Sequence, residues 1–249
     1  MPEPVPNHPG HKIAVRAHGI VKSFGDGGSK LTVLKGIDFD ARDGEIMMLV
    51  GPSGCGKTTL LSILAGTLNA EQGSVEVFGS RLDQMAARHV TRFRAQNIGF
   101  IFQSFNLIPT LNVAENVSVP LLIQGTSYHA AIQKARAVLA SVGLGERWKH
   151  RPTQLSGGQQ QRVAIARALV HEPRVIICDE PTASLDAKNG EMVMELFRNV
   201  ACVPGRVVII VTHDNRIFSY ANRIAQMDDG LIVEVHDVED GKTPHFEHH

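Results

Sequence analysis

Short hydrophobic runs recur along the chain, and each of them predicts a β-strand. The earlier runs are Ile13 to Val21, Leu31 to Phe39, Glu45 to Val50, Ser74 to Phe78 and Ile98 to Ile101. The first two alternate around the turn-rich segment Gly25 to Ser29, which predicts an antiparallel sheet at the N-terminus. Val175 to Cys178 and Val207 to Val211 are almost continuously apolar, which is typical of parallel strands covered on both faces.

A helical pattern lies between these two groups of strands. Its apolar residues fall on one face of a helix: Ala131, Ala135, Val138 and Val142. Ser127 is a candidate N-cap for this helix, and Gly143 stands just past its end. We therefore predict a helical subdomain inserted at about residues 86–157.

Composition and charge limit the classes of function. The 249 residues are 43% hydrophobic, enough to bury a substantial core. Lys and Arg together number 25, as do Asp and Glu, so no overall basic field attracts nucleic acid, and we expect no nucleic-acid partner. The three cysteines, Cys55, Cys178 and Cys202, have no disulfide or metal-ligand spacing, which fits a reducing cytosol.

The longest apolar runs and the two ends predict a chain without its own membrane span. Val207 to Val211 is far shorter than the ~20 residues that cross a bilayer. The polar, proline-rich start lacks the apolar stretch of a secretory signal. We predict a flexible N-terminus at 1–11, one domain at 12–235 and a flexible tail at 236–249, and we assign no metal site to the tail histidines.

A phosphate-binding loop is predicted between a strand and a helix. Its residues are Gly51, Pro52, Ser53, Gly54, Cys55, Gly56, Lys57, Thr58 and the following Thr59. The glycines let backbone N–H groups turn toward phosphates, and the start of the helix adds positive potential. Lys57 then reaches the terminal phosphates of ATP, and the Thr58 hydroxyl binds Mg²⁺.

Two adjacent carboxylates end a buried strand. Asp179 and Glu180 stand where burial is costly unless a cation or proton transfer compensates. Asp179 is the predicted Mg²⁺ ligand, and Glu180 is the predicted base that polarises or deprotonates the attacking water. A solvated turn is the alternative, and the phosphate loop in the same chain favours the functional interpretation.

One segment makes the sequence specific, and it reads Leu155, Ser156, Gly157, Gly158 and Gln159. Ser156 and Gln159 have the spacing of a capping box at the start of a helix. A capping box alone does not require two glycines, whereas Gly157 and Gly158 let an anionic phosphate approach the helix N-terminus closely. The segment matches the signature of ABC ATPases, and the chain resembles that family.

Further motifs follow in the order of the ABC ATPase family. They are Gln103 after a predicted strand, Ser184, Leu185 and Asp186 shortly after Glu180, and His213 after a later strand. The resemblance covers about residues 12–235 and implies an α/β fold, with a RecA-like P-loop NTPase core, an N-terminal antiparallel β subdomain and an inserted α-helical subdomain. It also implies an ATP-dependent head-to-tail homodimer, in which each ATP contacts Lys57 of one chain and Ser156 of the other.

The resemblance implies roles for individual residues as well. Gln103 contacts Mg²⁺ and the attacking water, His213 holds the γ-phosphate, and Asp186 links the two sites across the dimer interface. Gln103 and His213 are thus catalytic residues beside the lysine and glutamate named above. Phe24 fits the aromatic residue that stacks on adenine, but a Phe near a strand end is commonly a core residue, and both interpretations stay open.

The segment from Phe102 to Thr110 is similar to the LolD/MacB/DevA-like branch, which contains lipoprotein-releasing and macrolide-exporting ATPases. This similarity implies an ATP-binding and ATP-hydrolysing subunit on the cytoplasmic face of the bacterial inner membrane. The subunit would drive a separate integral-membrane permease with a large extracytoplasmic domain. The cargo binds to that partner, so this chain does not identify the cargo.

Two alternatives remain open in the sequence. The apolar residues after Gln103 form either the core of the helical lobe or a groove that grips the permease: Phe105, Leu107, Ile108 and Leu111. The other alternative concerns function, a regulatory ABC ATPase that signals through a membrane protein without moving a substrate. Its nucleotide chemistry would be identical, so only transport or release assays with the partner separate the two functions.

Overall fold

The structure is a computed structural model that describes residues 12–201 and 203–238. The predicted N-terminal segment 1–11, Cys202 and the tail histidines after residue 238 lie outside these residues. The last strand ends at Asp237, so the predicted tail at 236–249 overlaps its final residues.

The N-terminal sheet is antiparallel, as its alternating runs predict. Its strands lie in the order β2-β1-β4-β5: β1 (Ile13–Phe24), β2 (Leu31–Arg42), β4 (Gln72–Val77) and β5 (Ser80–Arg81). A 3₁₀ turn at Gly27–Ser29 joins β1 to β2, and the two strands pair along their whole length. The predicted N-terminal antiparallel sheet is therefore confirmed.

The second sheet is mostly parallel. Its strands lie in the order β10-β9-β3-β8-β7-β6: β3 (Ile46–Val50), β6 (Ile98–Ile101), β7 (Val175–Asp179), β8 (Val207–Val211), β9 (Arg223–Asp228) and β10 (Leu231–Asp237). Five strands run parallel to one another: β3, β6, β7, β8 and β9. The edge strand β10 is antiparallel to β9. The carboxyl ends of the parallel strands therefore meet at one edge of the sheet.

The helices connect these strands and build a separate lobe. They are α1 (Lys57–Leu64), α2 (Ala87–Asn97), α3 (Val113–Ile123), α4 (Tyr128–Ser141), α5 (Gly157–Leu169) and α6 (Ala187–Ala201). Short 3₁₀ turns lie at Leu82–Gln84, Gly145–Arg147, Pro152–Gln154 and Asn215–Tyr220.

The parallel strands are buried on both faces. In β3, Met47 and Leu49 pack into the cluster shared with the N-terminal sheet and α1. Ile46, Met48 and Val50 point the other way, into the cluster shared with α5 and α6. Because successive side chains of a strand face opposite sides, a strand with two covered faces is continuously apolar.

A third hydrophobic cluster holds the helical lobe together. It joins α3, α4 and α5, and it includes Ala131, Ala135 and Val142 of the predicted helical face. Ser127 occupies the predicted N-cap position of α4, although its side chain makes no capping hydrogen bond. The predicted span 86–157 contains β6, which pairs with β7 in the second sheet rather than packing in the lobe.

Strand β9 was not predicted, because it contains an arginine among its apolar residues. Arg223 is only 2% exposed and lies in the strand beside β3. Its guanidinium donates to Asp40 Oδ2 at 2.9 Å and to Glu45 Oε1 at 3.4 Å. A buried cation requires such partners, and the ion pair with Asp40 connects the two sheets.

Within the described ranges 12–201 and 203–238, no helix is long and apolar enough to cross a membrane.

Candidate functional site

The candidate site lies where four parallel strands end. Strand β3 leads into the phosphate loop, β6 into Gln103, β7 into Asp179 and Glu180, and β8 into His213. Since β3, β8, β7 and β6 are consecutive neighbours, their carboxyl ends form one row along the sheet edge. These motifs are far apart in the sequence, and the parallel sheet brings them together.

The phosphate loop has the backbone that its glycines predict. Gly51, Gly54 and Gly56 all have positive φ, of 151°, 84° and 106°. A Cβ at Gly51 would lie 2.0 Å from the backbone oxygen of Met227, a distance at which no side chain fits. The loop can therefore follow this path only with glycine at its first position.

Lys57 is held at the start of α1 by the loop itself. Its Nζ donates to the backbone oxygens of Gly51 at 2.8 Å and Pro52 at 2.7 Å. The ammonium group also lies 3.7 Å from Cys55 Sγ. The positive charge is thus fixed beside the loop whose backbone is predicted to surround phosphates.

Thr58 and Asp179 bring a hydroxyl and a carboxylate together. Thr58 Oγ1 donates to Asp179 Oδ2 at 3.5 Å, although the residues are 121 positions apart. Burial raises the pKa of Asp179, and the neighbouring charge of Glu180 raises it further. A cation beside these oxygens would offset both effects.

Glu180 and His213 form a hydrogen-bonded pair across the ends of β7 and β8. His213 Nδ1 lies 2.6 Å from Glu180 Oε1. The Glu180 side chain is 11% exposed, whereas that of His213 is 70% exposed. The second carboxylate oxygen, Glu180 Oε2, is buried and has no hydrogen-bond partner among the described residues.

The backbone of Glu180 is strained as well. Its φ is +49°, which residues with a Cβ rarely adopt, and its N–H donates to the backbone oxygen of Val211 at 2.9 Å. Residues held in this conformation concentrate at functional sites. An oriented carboxylate with one oxygen free is a suitable partner for a water molecule.

Gln103 and Phe24 are both exposed. Gln103 lies two residues after β6, at the sheet edge that carries the other site residues. Phe24 ends β1, is 45% exposed and has Lys22 Nζ at 5.5 Å from the centre of its ring. Phe24 is therefore not a core residue, and the stacking of its ring on adenine stays a prediction.

The signature segment forms the predicted capping box. Ser156 Oγ accepts from the backbone N–H of Gln159, and Gln159 Oε1 accepts from the backbone N–H of Ser156. Leu155 is buried in the lobe cluster. The two glycines have different surroundings: a Cβ at Gly157 would approach nothing closer than the backbone oxygen of Ser184, at 3.9 Å.

Gly158 is required by a contact within the chain. A Cβ there would lie 2.5 Å from the side-chain oxygen of Asn189. The sequence interpretation, in which both glycines admit a phosphate, is thus incomplete, because Asn189 already occupies the space beside Gly158.

The segment after Glu180 lies close by: Ser184 is exposed, Leu185 is buried, and Asp186 accepts two hydrogen bonds from Asn189.

Arg167 holds the segment after Gln103, a contact that the sequence did not reveal. It lies in α5 and donates to the backbone oxygens of Phe105 at 2.7 Å and Asn106 at 2.6 Å. Phe105 and Asn106 have φ of 55° and 47°, so the segment after Gln103 is both strained and clamped. An arginine at a regular helical position gives no signal of such a distant contact.

Comparison with known proteins identifies the family. The sequence pattern of the family described as "ABC transporter" matches residues 34–183, more than half of the chain. This chain belongs to the ABC transporter family. The predictions of an ABC-type α/β fold and of an ATP-binding, ATP-hydrolysing protein are confirmed.

Several members of the ABC transporter family are similar over most of this chain. The lipoprotein-releasing system ATP-binding protein LolD of Bacteroides thetaiotaomicron is 43% identical, and the match covers 88% of this chain and 98% of LolD. The macrolide export ATP-binding/permease protein MacB of Wolinella succinogenes is 42% identical over 89% of this chain and 34% of MacB. These matches confirm the predicted resemblance to LolD and MacB.

A solved structure of an ABC cassette has the same fold. It is the ATP-binding cassette MJ0796, described as a dimer in a post-hydrolysis state bound to ADP and Pi. It superposes with a TM-score of 0.81 at 34% identity, covering 90% of this chain and 99% of the cassette. The roles of individual residues in this chain remain predictions.

Bound ATP is expected to protect Cys55 from alkylation. Cys55 is 6% exposed, so a reagent reaches its sulfur only when the phosphate loop opens. If ATP binds only the closed loop, ATP at about ten times its Kd should slow labelling about tenfold. Mass spectrometry of the loop peptide measures the rate, with Cys55→Ser as control for labelling elsewhere. Equal rates with and without ATP would show that the loop does not close on nucleotide.

Proposed function

We propose that this chain is the ATPase subunit that drives a separate membrane permease through ATP-dependent pairing of two copies. One observation carries the proposal. A buried oxygen of Glu180, which has no hydrogen-bond partner in the part of the chain that the structure describes, lies at the sheet edge that also carries Lys57, Thr58 and Asp179, so the proposed base and the predicted phosphate site share one edge.

The residues present fit a magnesium ion. Thr58 Oγ1 and Asp179 Oδ2 are oxygen donors 3.5 Å apart, and Mg²⁺ prefers oxygen ligands in sites shared with phosphates. The raised pKa of Asp179 also indicates a carboxylate whose charge is not yet compensated by the protein. When bound, the ion neutralises charge on the phosphates and orients them. Gln103 is a third candidate ligand.

The chemistry proposed for this edge is attack of water on the γ-phosphorus of ATP, which forms a new P–O bond while the bond to the β–γ bridging oxygen breaks and ADP leaves. Glu180 Oε2 accepts a hydrogen bond from the water and takes its proton, while Oε1 stays bound to His213. His213 is exposed on the other side and contacts the γ-phosphate. Lys57 neutralises the terminal phosphates.

The second half of each site is proposed to come from a second copy. Ser156 and Gly157 are exposed at the N-terminus of α5, where partial positive charge favours an anion. In a head-to-tail pair, this helix end of one chain meets the ATP held by Lys57 of the other. The MJ0796 cassette forms a dimer in its solved structures, which supports this arrangement.

The proposed partner is an integral-membrane permease with a large extracytoplasmic domain, gripped from the cytoplasmic side. The similar proteins LolD, of a lipoprotein-releasing system, and MacB, a macrolide export ATP-binding/permease protein, support a permease partner. An exposed apolar surface supports docking through protein contacts. It consists of the exposed Phe102 and Ile123 together with the half-buried Phe100 and Pro120, and the ring centre of Phe100 lies 4.3 Å from that of Phe102.

This surface adds to the apolar residues after Gln103, for which the sequence left docking groove and lobe core both open. Leu107 packs on the lobe cluster, so it is a core residue, whereas Ile108 is exposed. Phe102 and Ile108 flank the segment clamped by Arg167. Docking beside this segment would connect the partner to Gln103 and hence to the nucleotide.

A charge on the apolar surface should uncouple partner binding from ATP hydrolysis. Ile123, 74% exposed, has no packing role to lose, so Ile123→Glu should keep the fold and the ATPase rate of the isolated subunit. Co-purification with its permease should be lost, because a desolvated, unpaired carboxylate is costly at an interface.

The matched control is Val233→Glu, which charges another exposed apolar residue, 55% exposed, on β10. It should leave co-purification intact. Leu107→Glu should instead lower the thermal stability of the lobe. Full retention of the permease by Ile123→Glu and by Phe102→Glu would exclude this surface as the docking site.

A further inference from the structure

Asn189 lies at the junction of two motifs that are distant in sequence. It is the third residue of α6, which begins after Asp186. Its backbone N–H donates to Asp186 Oδ1 and its side-chain Nδ2 donates to Asp186 Oδ2, both at 2.8 Å. These two hydrogen bonds occupy both carboxylate oxygens and hold the pKa of Asp186 below its usual range.

The opposite side of Asn189 rests on the signature helix. A Cβ at Gly158 would lie 2.5 Å from Asn189 Oδ1, 2.7 Å from its Cγ and 3.1 Å from its Cβ. No side chain fits at position 158 while Asn189 keeps this position. Glycine weakens a helix relative to alanine, so its use here, inside the first turn of α5, has the close approach of Asn189 as its structural reason.

The two contacts of Asn189 differ in kind. Toward Asp186 the contact is a pair of charge-assisted hydrogen bonds, and toward Gly158 it is close packing without a hydrogen bond. A residue that only capped α6 would need the first contact and not the second. The signature helix and the segment before α6 are thereby joined through one side chain.

We propose that Asn189 is a positioning residue that ties the N-terminal turn of α5 to Asp186, so that Ser156 and Asp186 move as one body when two copies close on ATP. The inference rests on the pairing proposed above. Ser156 and Asp186 both face the second copy in that arrangement, and a fixed relation between them lets one closing movement bring both into contact. Gly157 and Ser184, whose backbones approach each other nearby, belong to the same body.

The test compares ATP affinity, stability and pairing in a Glu180→Gln parent, which is expected to hold ATP without hydrolysing it. Adding Asn189→Ala should leave ATP affinity of the single chain within about twofold, because Lys57 and its loop are untouched. The ATP-dependent dimerisation constant should fall by about tenfold or more. Asn189→Ser, whose hydroxyl can still donate to Asp186, should recover part of that loss.

A double variant separates positioning from packing. Gly158→Ala alone should lower thermal stability, because the new Cβ collides with Asn189. Gly158→Ala with Asn189→Ala removes the two contacts under 3.0 Å and leaves only the 3.1 Å approach of the two Cβ atoms, so stability should recover most of the way to that of Asn189→Ala, while pairing stays weak. Glu191→Ala, on the exposed side of α6, is the control and should change neither property.

Each outcome decides the inference. Pairing that recovers with stability in the double variant, or an Asn189→Ala dimerisation constant within twofold of the parent, would overturn the positioning role. If Asn189→Ala lowers stability or ATP affinity together with pairing, the Asn189→Ser variant tests the inference. Equal losses of stability, ATP affinity and pairing in Asn189→Ser would refute it. A parent that forms no dimer with ATP refutes the proposed pairing itself, which is a separate result.

Discussion

Glu180→Gln should bind ATP normally and hydrolyse it roughly 10²- to 10⁴-fold more slowly, as expected for loss of a general base. Glutamine has the same shape as glutamate, and its side-chain oxygen can still accept from His213 Nδ1, so the geometry of the pair is kept. It cannot take a proton at the position of Oε2, which is buried and unpartnered among the described residues.

Lys57→Ala should have the opposite effect, a loss of tight ATP binding. The ammonium group of Lys57 is held beside the loop by two of its backbone oxygens, so its positive charge already lies where the phosphates are predicted to bind. A charge-assisted hydrogen bond contributes about 1.5–3 kcal/mol, which corresponds to roughly 10- to 150-fold in affinity.

Both variants are measured by nucleotide titration and by phosphate release. Glu172→Gln is a matched control, because Glu172 also has a positive φ, 56°, but lies in the turn between α5 and β7, away from the strand ends. Lys149→Ala, on the exposed side of the lobe, controls for loss of a positive charge. Normal turnover in Glu180→Gln would mean that another group activates the water.

The second large effect is expected in the oligomeric state. Glu180→Gln should be a monomer without nucleotide and a dimer with Mg-ATP. Shifting such an equilibrium from 1:99 to 99:1 takes about 5.5 kcal/mol of differential binding. Each hydrogen bond to a charged phosphate contributes about 1.5–3 kcal/mol. A few contacts from the two Ser156 helix ends, one at each ATP, are therefore sufficient.

Light scattering with and without Mg-ATP measures this shift. Glu180→Gln combined with Lys57→Ala should stay monomeric, because the chain no longer holds the ATP that joins the copies. Ser156→Ala in the same parent should weaken pairing, since it removes both the capping hydroxyl and a phosphate contact. If the parent stays monomeric with Mg-ATP at high protein concentration, the head-to-tail arrangement is wrong.

The strands and motifs of this protein were predictable because their signals are local. The capping box of Ser156 and Gln159 spans three positions, and the phosphate loop spans one turn between β3 and α1. Strand β9 was missed for the opposite reason: Arg223 can be buried because Asp40 and Glu45, 183 and 178 positions away, neutralise it. Leu107 was ambiguous because packing of the lobe, rather than local pattern, decides which apolar residues of that segment are covered.

By itself, the sequence determined the chemistry available to this protein: a glycine-rich loop with Lys57 and Thr58, paired carboxylates at a strand end, and a signature segment built on a capping box. These features depend on neighbours within a few residues, so a linear pattern suffices. The tertiary structure alone decided which groups meet. The strand order β3-β8-β7 brings Glu180 against His213, and the packing of α5 on α6 sets Asn189 beside Gly158. Such contacts depend on the path of the whole chain, because side chains far apart in sequence approach each other only after the sheet and helices have packed.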